Sequence, residues 1–89
     1  MVQFEDDDKG YLHWLADHPD GYVVNCERSP KPTYLMLHRA TCRDISTSVR
    51  TNYTTTGYMK VCALDRSELE RWAPDKAGGQ LQPCRHCDP

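Results

Sequence analysis

Hydrophobic residues near the start of the chain recur at helical intervals. Tyr11 and Leu15 lie four residues apart, and Trp14 lies three residues after Tyr11, as expected for the apolar face of a helix. Acidic residues precede this segment, where they can cap the free amides of a first turn. Pro19 disfavours helical geometry at the residue before it. The pattern predicts a short helix over about residues 7–17.

Three later segments have the composition of β-strands. Residues 21–26 and 33–38 are rich in β-branched and aromatic side chains and are separated by a loop that contains two prolines. This pattern predicts an antiparallel hairpin over 21–38. Residues 57–63 carry apolar side chains at alternate positions, which predicts a third strand. The Ser- and Thr-rich residues 43–57 predict a loop between the hairpin and this strand.

A second helix begins with a capping signal. Asp65 is a favourable N-cap residue, and Glu68 follows three residues later, as in a capping box. Leu69 and Trp72 then form an apolar face, and Pro74 is expected to end the helix. Together these elements predict an α+β fold with a three-stranded antiparallel sheet and two short helices.

The composition gives this fold a small hydrophobic core. Leu, Ile, Val and Phe contribute 14 of the 89 residues, fewer than the roughly 20% below which chains begin to resemble disordered ones. Domains of this size usually need a disulfide, a metal or a partner for stability. We expect one metal-stabilised domain over 1–89, made of an acidic helical N-terminus at 1–20, the hairpin at 21–38, and a loop, strand, helix and cysteine-containing knuckle at 39–89.

Several classes of protein do not fit the sequence. No apolar run approaches the ~18 residues of a membrane span, so we expect no membrane partner. No basic segment followed by an apolar one opens the chain, so we expect no secretory signal and a cytoplasmic location. A chain of 89 residues is short for an enzyme with a deep cleft, so we expect neither catalysis nor a small-molecule substrate.

Two short pairs of potential metal ligands stand far apart in the sequence. His38 and Cys42 form an H-x-x-x-C pair, and Cys84 and Cys87 form a C-x-x-C pair, with 41 residues between Cys42 and Cys84. Two such pairs, brought together by folding, are the usual way in which a protein builds a tetrahedral Zn²⁺ site. The spacing therefore predicts a closed zinc site with these four residues as ligands.

The same cysteines leave alternatives open. A C-x-x-C pair can be a redox pair, although such a pair usually opens a helix after a strand. A disulfide framework is disfavoured because the chain has five cysteines, an odd number. Within the zinc interpretation, Cys62 is the main rival of His38 as the fourth ligand. Cys26 is most simply a small core residue.

The two pairs also lie in longer motifs, HRATCR from His38 to Arg43 and PCRHCDP over 83–89, with a strand and a helix between them. Over about residues 34–89 this arrangement resembles the zinc-binding module of the bacterial Ada-type proteins. That family recognises methylated phosphotriesters in DNA through a motif of roughly C-R-P-x-C, a strand and helix, and C-K-x-C-x-P. The resemblance implies a zinc scaffold and affinity for DNA. His38 stands where the family has its methyl-accepting cysteine, so methyl transfer is not expected.

Charge is unevenly distributed along a chain whose net charge is −2. Residues 1–20 hold six acids and one base, whereas residues 21–63 hold six bases, two acids and four of the five tyrosines. This cationic middle predicts a surface that contacts phosphates and unpaired bases. The predicted nucleic-acid contacts are Arg39, Arg43, Arg50, Tyr53, Tyr58 and Lys60.

These observations predict a zinc-stabilised recognition module that binds nucleic acid without catalysis. The overall charge fits an alternative at least as well, because a pI near 6.0 is far below the value of about 9 typical of nucleic-acid-binding domains. That alternative is a zinc-stabilised module for protein–protein interaction, or one with a structural role.

Overall fold

The computed structural model describes residues 1–46 and 52–89, in which two helices lie on opposite faces of one mixed β-sheet. Among these residues, no helix is long and apolar enough to cross a membrane. The elements in chain order are β1 (Val2–Phe4), α1 (Asp8–Asp17), β2 (Tyr22–Glu27), β3 (Leu35–Arg39), a 3₁₀ turn (Arg43–Ile45), β4 (Tyr58–Ala63), α2 (Arg66–Trp72) and β5 (Gln82–Pro83).

The sheet has five strands in the order β1-β4-β2-β3-β5. The β3–β5 pair is parallel and the other pairs are antiparallel. The α+β class is therefore confirmed and so is the hairpin, but the three-stranded antiparallel sheet is wrong. The two additional strands are three and two residues long. Segments this short contain too few alternations to produce a recognisable strand period, and β5 also contains a proline.

Helix α1 begins as the acidic cluster predicts. The Asp7 side chain accepts a hydrogen bond from the backbone N–H of Gly10 and caps the first turn. Asp8, one residue later, binds the segment that precedes β4: its carboxylate accepts from the backbone N–H of Thr54 at 2.6 Å and from the Thr54 hydroxyl at 2.7 Å. These bonds hold residues near Thr54 against the start of α1.

Helix α2 begins at its predicted cap, where the Asp65 side chain accepts from the backbone N–H of Ser67. As predicted, the α-helix ends just before Pro74, with Trp72 as its last residue and Ala73 as its C-cap. The chain continues through a π-helical turn, Ala73–Ala77, and stops at Gly78, whose φ of +70° is in the left-handed region that favours glycine. Pro74 lies at the start of this turn, where its missing N–H removes little hydrogen bonding.

The sheet separates two small hydrophobic cores. On one face, Val24 and Leu37 pack with Leu69 and Trp72 of α2. The other face packs against α1 and extends to the two predicted metal-ligand pairs. Its buried residues are Phe4, Tyr11, Leu15, Val23, Ala40, Cys42, Ile45, Tyr53, Cys62 and Cys84. The predicted metal site is thus continuous with the α1 core.

Candidate metal centre

The structure brings His38, Cys42, Cys84 and Cys87 together. One ligand atom from each residue lies within 4.8 Å of those of the other three. The Cys42 and Cys84 sulfurs are 4.0 Å apart, close to the ~3.7 Å expected between ligands of a tetrahedral zinc ion with Zn–S bonds of ~2.3 Å. His38, Cys42 and Cys84 are buried and Cys87 is half-buried. The cluster therefore has the dimensions and burial of a structural metal site.

Parallel pairing of β5 with β3 brings the two ligand pairs together. His38 lies near the end of β3, and the backbone N–H of Cys42 donates to the carbonyl of Arg39 in the turn that follows. Directly after β5, the backbone N–H of Cys84 donates to the Leu37 carbonyl at 2.8 Å. The residue after Leu37 is His38, so this one hydrogen bond sets the second pair beside the first.

Arg39, at the end of β3, binds the C-terminal segment that carries Cys84 and Cys87 (the knuckle). Its backbone N–H donates to the Cys87 sulfur at 3.3 Å. Its guanidinium donates to the carbonyls of Cys87 and Asp88, at 3.0 and 2.9 Å. Arg39 was predicted to contact nucleic acid, but its guanidinium donors point to this backbone. An N–H···S bond of this kind stabilises a thiolate and orients a ligand.

Burial sets the protonation of two of the four residues. It raises the pKa of the Cys42 thiol to about 12, against the opposing effect of a backbone hydrogen bond at Asp44 and with smaller contributions from Cys87 and Cys84 that also raise it. It lowers the pKa of His38 to about 4, against a smaller opposing effect of Asp44. Cys42 is therefore a protonated thiol until a cation displaces its proton, whereas His38 is already the neutral imidazole that binds metals.

The donor atoms fit a metal ion. The Nδ1 atom of His38 is buried and has no hydrogen-bond partner among the described residues, an arrangement that costs free energy in a folded protein. All five cysteines are free thiols. Three thiols and an imidazole are a donor set that selects zinc over hard cations such as Mg²⁺ or Ca²⁺.

Cys62, the rival ligand, lies in the α1 core and is not part of this group of four. Burial raises its pKa to about 12. Cys26 lies in the core on the opposite face, where burial raises its pKa to about 11. Both are inert, protonated thiols that behave as small core residues.

A carboxylate and a second histidine lie beside the cluster, and the sequence did not single them out as a pair. His86 Nδ1 lies 2.6 Å from Asp44 Oδ2, and the Cys84 sulfur lies 3.5 Å from the same oxygen. The hydrogen bond with His86 lowers the pKa of Asp44. Asp44 stands two positions after Cys42, and His86 stands two positions after Cys84. This repeated spacing was the only feature of the sequence that could have indicated the pair.

Two of the predicted nucleic-acid contacts are buried. Tyr53 is 3% exposed and its ring packs 5.6 Å from that of Tyr11. Lys60 is 5% exposed, and its ammonium donates to Asn25 Oδ1 at 2.9 Å and to the Tyr53 carbonyl at 2.7 Å. Neither side chain is positioned to stack on a base or contact a phosphate as predicted.

The remaining predicted contacts differ in position. Arg43 is exposed and adjacent to Cys42. Tyr58 is 43% exposed at the start of β4, and its ring forms an edge contact with Tyr34 at 5.9 Å between centroids. Arg50 lies outside the described residues. Arg85, which is not among the predicted contacts, is exposed beside Cys84.

An open groove of about 1560 Å³ runs along the sheet from the metal-ligand cluster. Residues at the cluster end include His38, Cys84 and Arg85, and those at the far end include Asn25, Tyr34 and Tyr58. The candidate metal-ligand cluster thus forms one end of a surface that also presents aromatic and amide side chains.

No protein-family model, curated protein or solved structure matches the chain. The resemblance to the Ada-type module therefore stays a prediction.

Proposed function

We propose that the protein is a zinc-stabilised recognition module that binds nucleic acid without catalysis. The observation that carries the zinc assignment is the grouping of three thiols and one neutral imidazole within 4.8 Å of one another. Four such ligands fill a tetrahedral coordination sphere and leave no open position for substrate, as in structural zinc sites. The cytoplasm is the location we propose, since its reducing conditions keep thiols available to a metal.

The positions of the ligands support a stabilising role for the metal. His38 and Cys42 follow β3, whereas Cys84 and Cys87 belong to a C-terminal segment joined to β3 by a two-residue strand. A zinc ion would cross-link these segments where the protein has few strand hydrogen bonds. Binding of structural zinc contributes about 10–16 kcal/mol in small zinc-finger peptides, which is comparable to the whole stability of a small domain.

Two exposed arginines beside the ligands support an anionic partner. Arg43 follows Cys42 and Arg85 follows Cys84, and neither forms an ion pair with any described residue. Elsewhere, Arg28 is paired with Asp6 and Arg66 with Glu70. Exposed guanidinium groups on a rigid metal-bound loop suit the bidentate recognition of phosphates.

Binding of labelled DNA to the zinc-loaded chain, measured over a range of salt concentrations, tests this proposal. We expect the affinity to fall as the salt concentration rises, because arginines that contact phosphates release the counterions bound to the DNA, and added salt opposes this release. The double variant Arg43→Gln/Arg85→Gln should reduce the slope of log K against log salt by about 2. Arg71→Gln, which changes an exposed arginine on α2 at the opposite face of the sheet, is the matched control and should leave binding unchanged. Absence of DNA binding at low salt would refute the nucleic-acid part of the proposal.

A protein partner is the competing function. The observation in its favour is the local charge, because Asp44 and Asp88 line the same groove as Arg85 and the chain as a whole carries −2. If the zinc-loaded chain retains a protein after nuclease treatment and retains no nucleic acid, this second function is the correct one.

A further inference from the structure

Helix α1 covers only part of one face of the sheet. The strand register places Cys62, Val23 and His38 in one row across β4, β2 and β3. These three residues are buried. The next row on the same face consists of the buried Lys60 and the half-buried Asn25 and Met36, and all three line the open groove. The face is therefore partly accessible beyond the covered row, at Asn25 and Met36.

Polar side chains cross this open part of the face. The Lys60 ammonium donates to Asn25 Oδ1, and Asn25 Nδ2 donates to the Tyr34 hydroxyl at 3.2 Å. An apolar layer packed on this surface would have to desolvate the whole chain of polar groups, which is unfavourable. This surface therefore suits a partner whose own polar groups can form hydrogen bonds with it.

Asn25 retains hydrogen-bonding capacity in this chain. A side-chain amide has two N–H donors and two acceptor lone pairs. Asn25 uses one donor on Tyr34 and one lone pair on Lys60. One N–H donor remains on Nδ2 and one acceptor lone pair remains on Oδ1. A donor and an acceptor side by side on the same amide are the arrangement with which Asn recognises the edge of a base.

Aromatic rings lie at the open end of the groove. Tyr58 is 43% exposed. Its ring and the Tyr34 ring meet edge to face, with an angle of 64° between their planes, so the two rings are not stacked flat on each other. Glu27, which lies opposite Tyr58 in the strand register, is paired with Lys31 at 3.6 Å. This pairing offsets the negative charge beside the rings.

The geometry favours a polymer with planar rings over a peptide or a small molecule. Strand β2 is bonded to β3 on one side and β4 on the other, so this face offers rings and amides but no free backbone for strand addition. The volume of about 1560 Å³ exceeds the roughly 300–1,000 Å³ of typical small-molecule sites. Arg85 lies at the cluster end, where it can contact a phosphate of the same strand.

We propose that this open face binds an unpaired base of a single-stranded nucleic acid, which stacks on Tyr58 while its edge contacts Asn25. This inference rests on the proposed function and specifies the strand state of its partner. A duplex keeps its bases stacked inside and contacts the protein through phosphates, whereas a single strand presents base faces to aromatic side chains.

The test compares a labelled single-stranded oligonucleotide with a duplex of the same sequence, using the full zinc-loaded chain and fluorescence anisotropy. Tyr58→Ala should weaken single-strand binding by about fivefold to a hundredfold, the range found when a stacking aromatic is removed. Duplex binding should be unchanged. Tyr58→Phe should retain single-strand binding because the ring is kept. Leu64→Ala, at a 61% exposed apolar residue just beyond the other end of β4, is the matched control.

A second measurement needs no variant. In NMR spectra of the wild-type chain, the side-chain amide signals of Asn25 should shift when the single strand is added. Equal affinity for both forms, no loss in Tyr58→Ala or an unperturbed Asn25 amide overturns the inference and leaves the proposed function standing. Absence of binding to either form overturns the proposed function and this inference with it, and points to a protein as the occupant.

Discussion

The Cys42 and Cys84 sulfurs lie 4.0 Å apart, although the two residues are separated by 42 positions in the chain. Two buried thiols gain little from each other, since S–H groups are weak hydrogen-bond partners. With His38 and Cys87 beside them, the two thiols belong to a group of four side chains that could hold a metal ion.

Loss of one ligand should unfold the chain. Cys84→Ser should abolish stoichiometric zinc binding and cooperative thermal unfolding, because the metal contributes about as much free energy as the domain has in total. Circular dichroism with and without a chelator measures the effect. Cys26→Ala is the control, since it removes a buried thiol from the other core and should cost only about 1–2 kcal/mol. Equal losses in both variants would contradict a metal-bound structure.

His38, rather than Cys62, should be the fourth ligand. His38→Ala should weaken zinc binding by orders of magnitude, since it leaves three thiolates around an incomplete coordination sphere. Cys62→Ser should keep one zinc per chain and lower only the free energy of unfolding, because Cys62 lies in the α1 core. Zinc affinity from competition with a chromophoric chelator separates the two. The opposite ranking of these variants would assign the fourth position to Cys62.

Arg39 should support the metal without binding it. Arg39→Ala removes the two guanidinium bonds to the carbonyls of Cys87 and Asp88, which position the last ligand. We expect a loss of about 10- to 100-fold in zinc affinity, as for other groups that orient ligands. Arg71→Ala is the control on α2. An unchanged affinity in Arg39→Ala would mean that the knuckle forms without this anchor.

Zinc binding should release protons from thiols and none from His38. Burial raises the pKa of Cys42 to about 12, so the thiol is protonated at pH 7 and zinc must displace its proton. Burial lowers the pKa of His38 to about 4, so its ring is already neutral at that pH. Affinity should therefore rise with pH near neutrality, by about tenfold per pH unit for each proton displaced.

Calorimetry in buffers of different ionisation enthalpy counts these protons. His38→Cys, which replaces the neutral imidazole with a thiol, should release more protons per zinc than the wild-type chain does. Equal proton release from the two chains would show that His38 is not a ligand.

Local sequence signals predicted much of the fold and the residues that the structure groups in the candidate metal site. The caps at Asp7 and Asp65 and the 21–38 hairpin depend on residues close in sequence, so they are readable from patterns. The metal-ligand pairs were visible for the same reason, because each pair is short. Strands β1 and β5 exist only because a neighbouring strand pairs with them, so nothing in their own two or three residues marks them.

Surface assignments from composition were less informative. Lys60 is charged and lies in a basic stretch, yet its hydrogen bonds to Asn25 and the Tyr53 carbonyl fix it under the groove. Asp44 and His86 become neighbours only through the β3–β5 pairing. The burial of a polar side chain depends on contacts between segments that are distant in the sequence. Composition carries no information about such contacts.

X-ray absorption at the zinc edge of the purified, zinc-loaded chain tests the central claim most directly. We predict one zinc per chain, with three sulfur ligands at ~2.3 Å and one nitrogen ligand at ~2.0 Å. A chain that folds without metal, or one in which the Cys42 and Cys84 sulfurs are joined in a disulfide, would contradict the account.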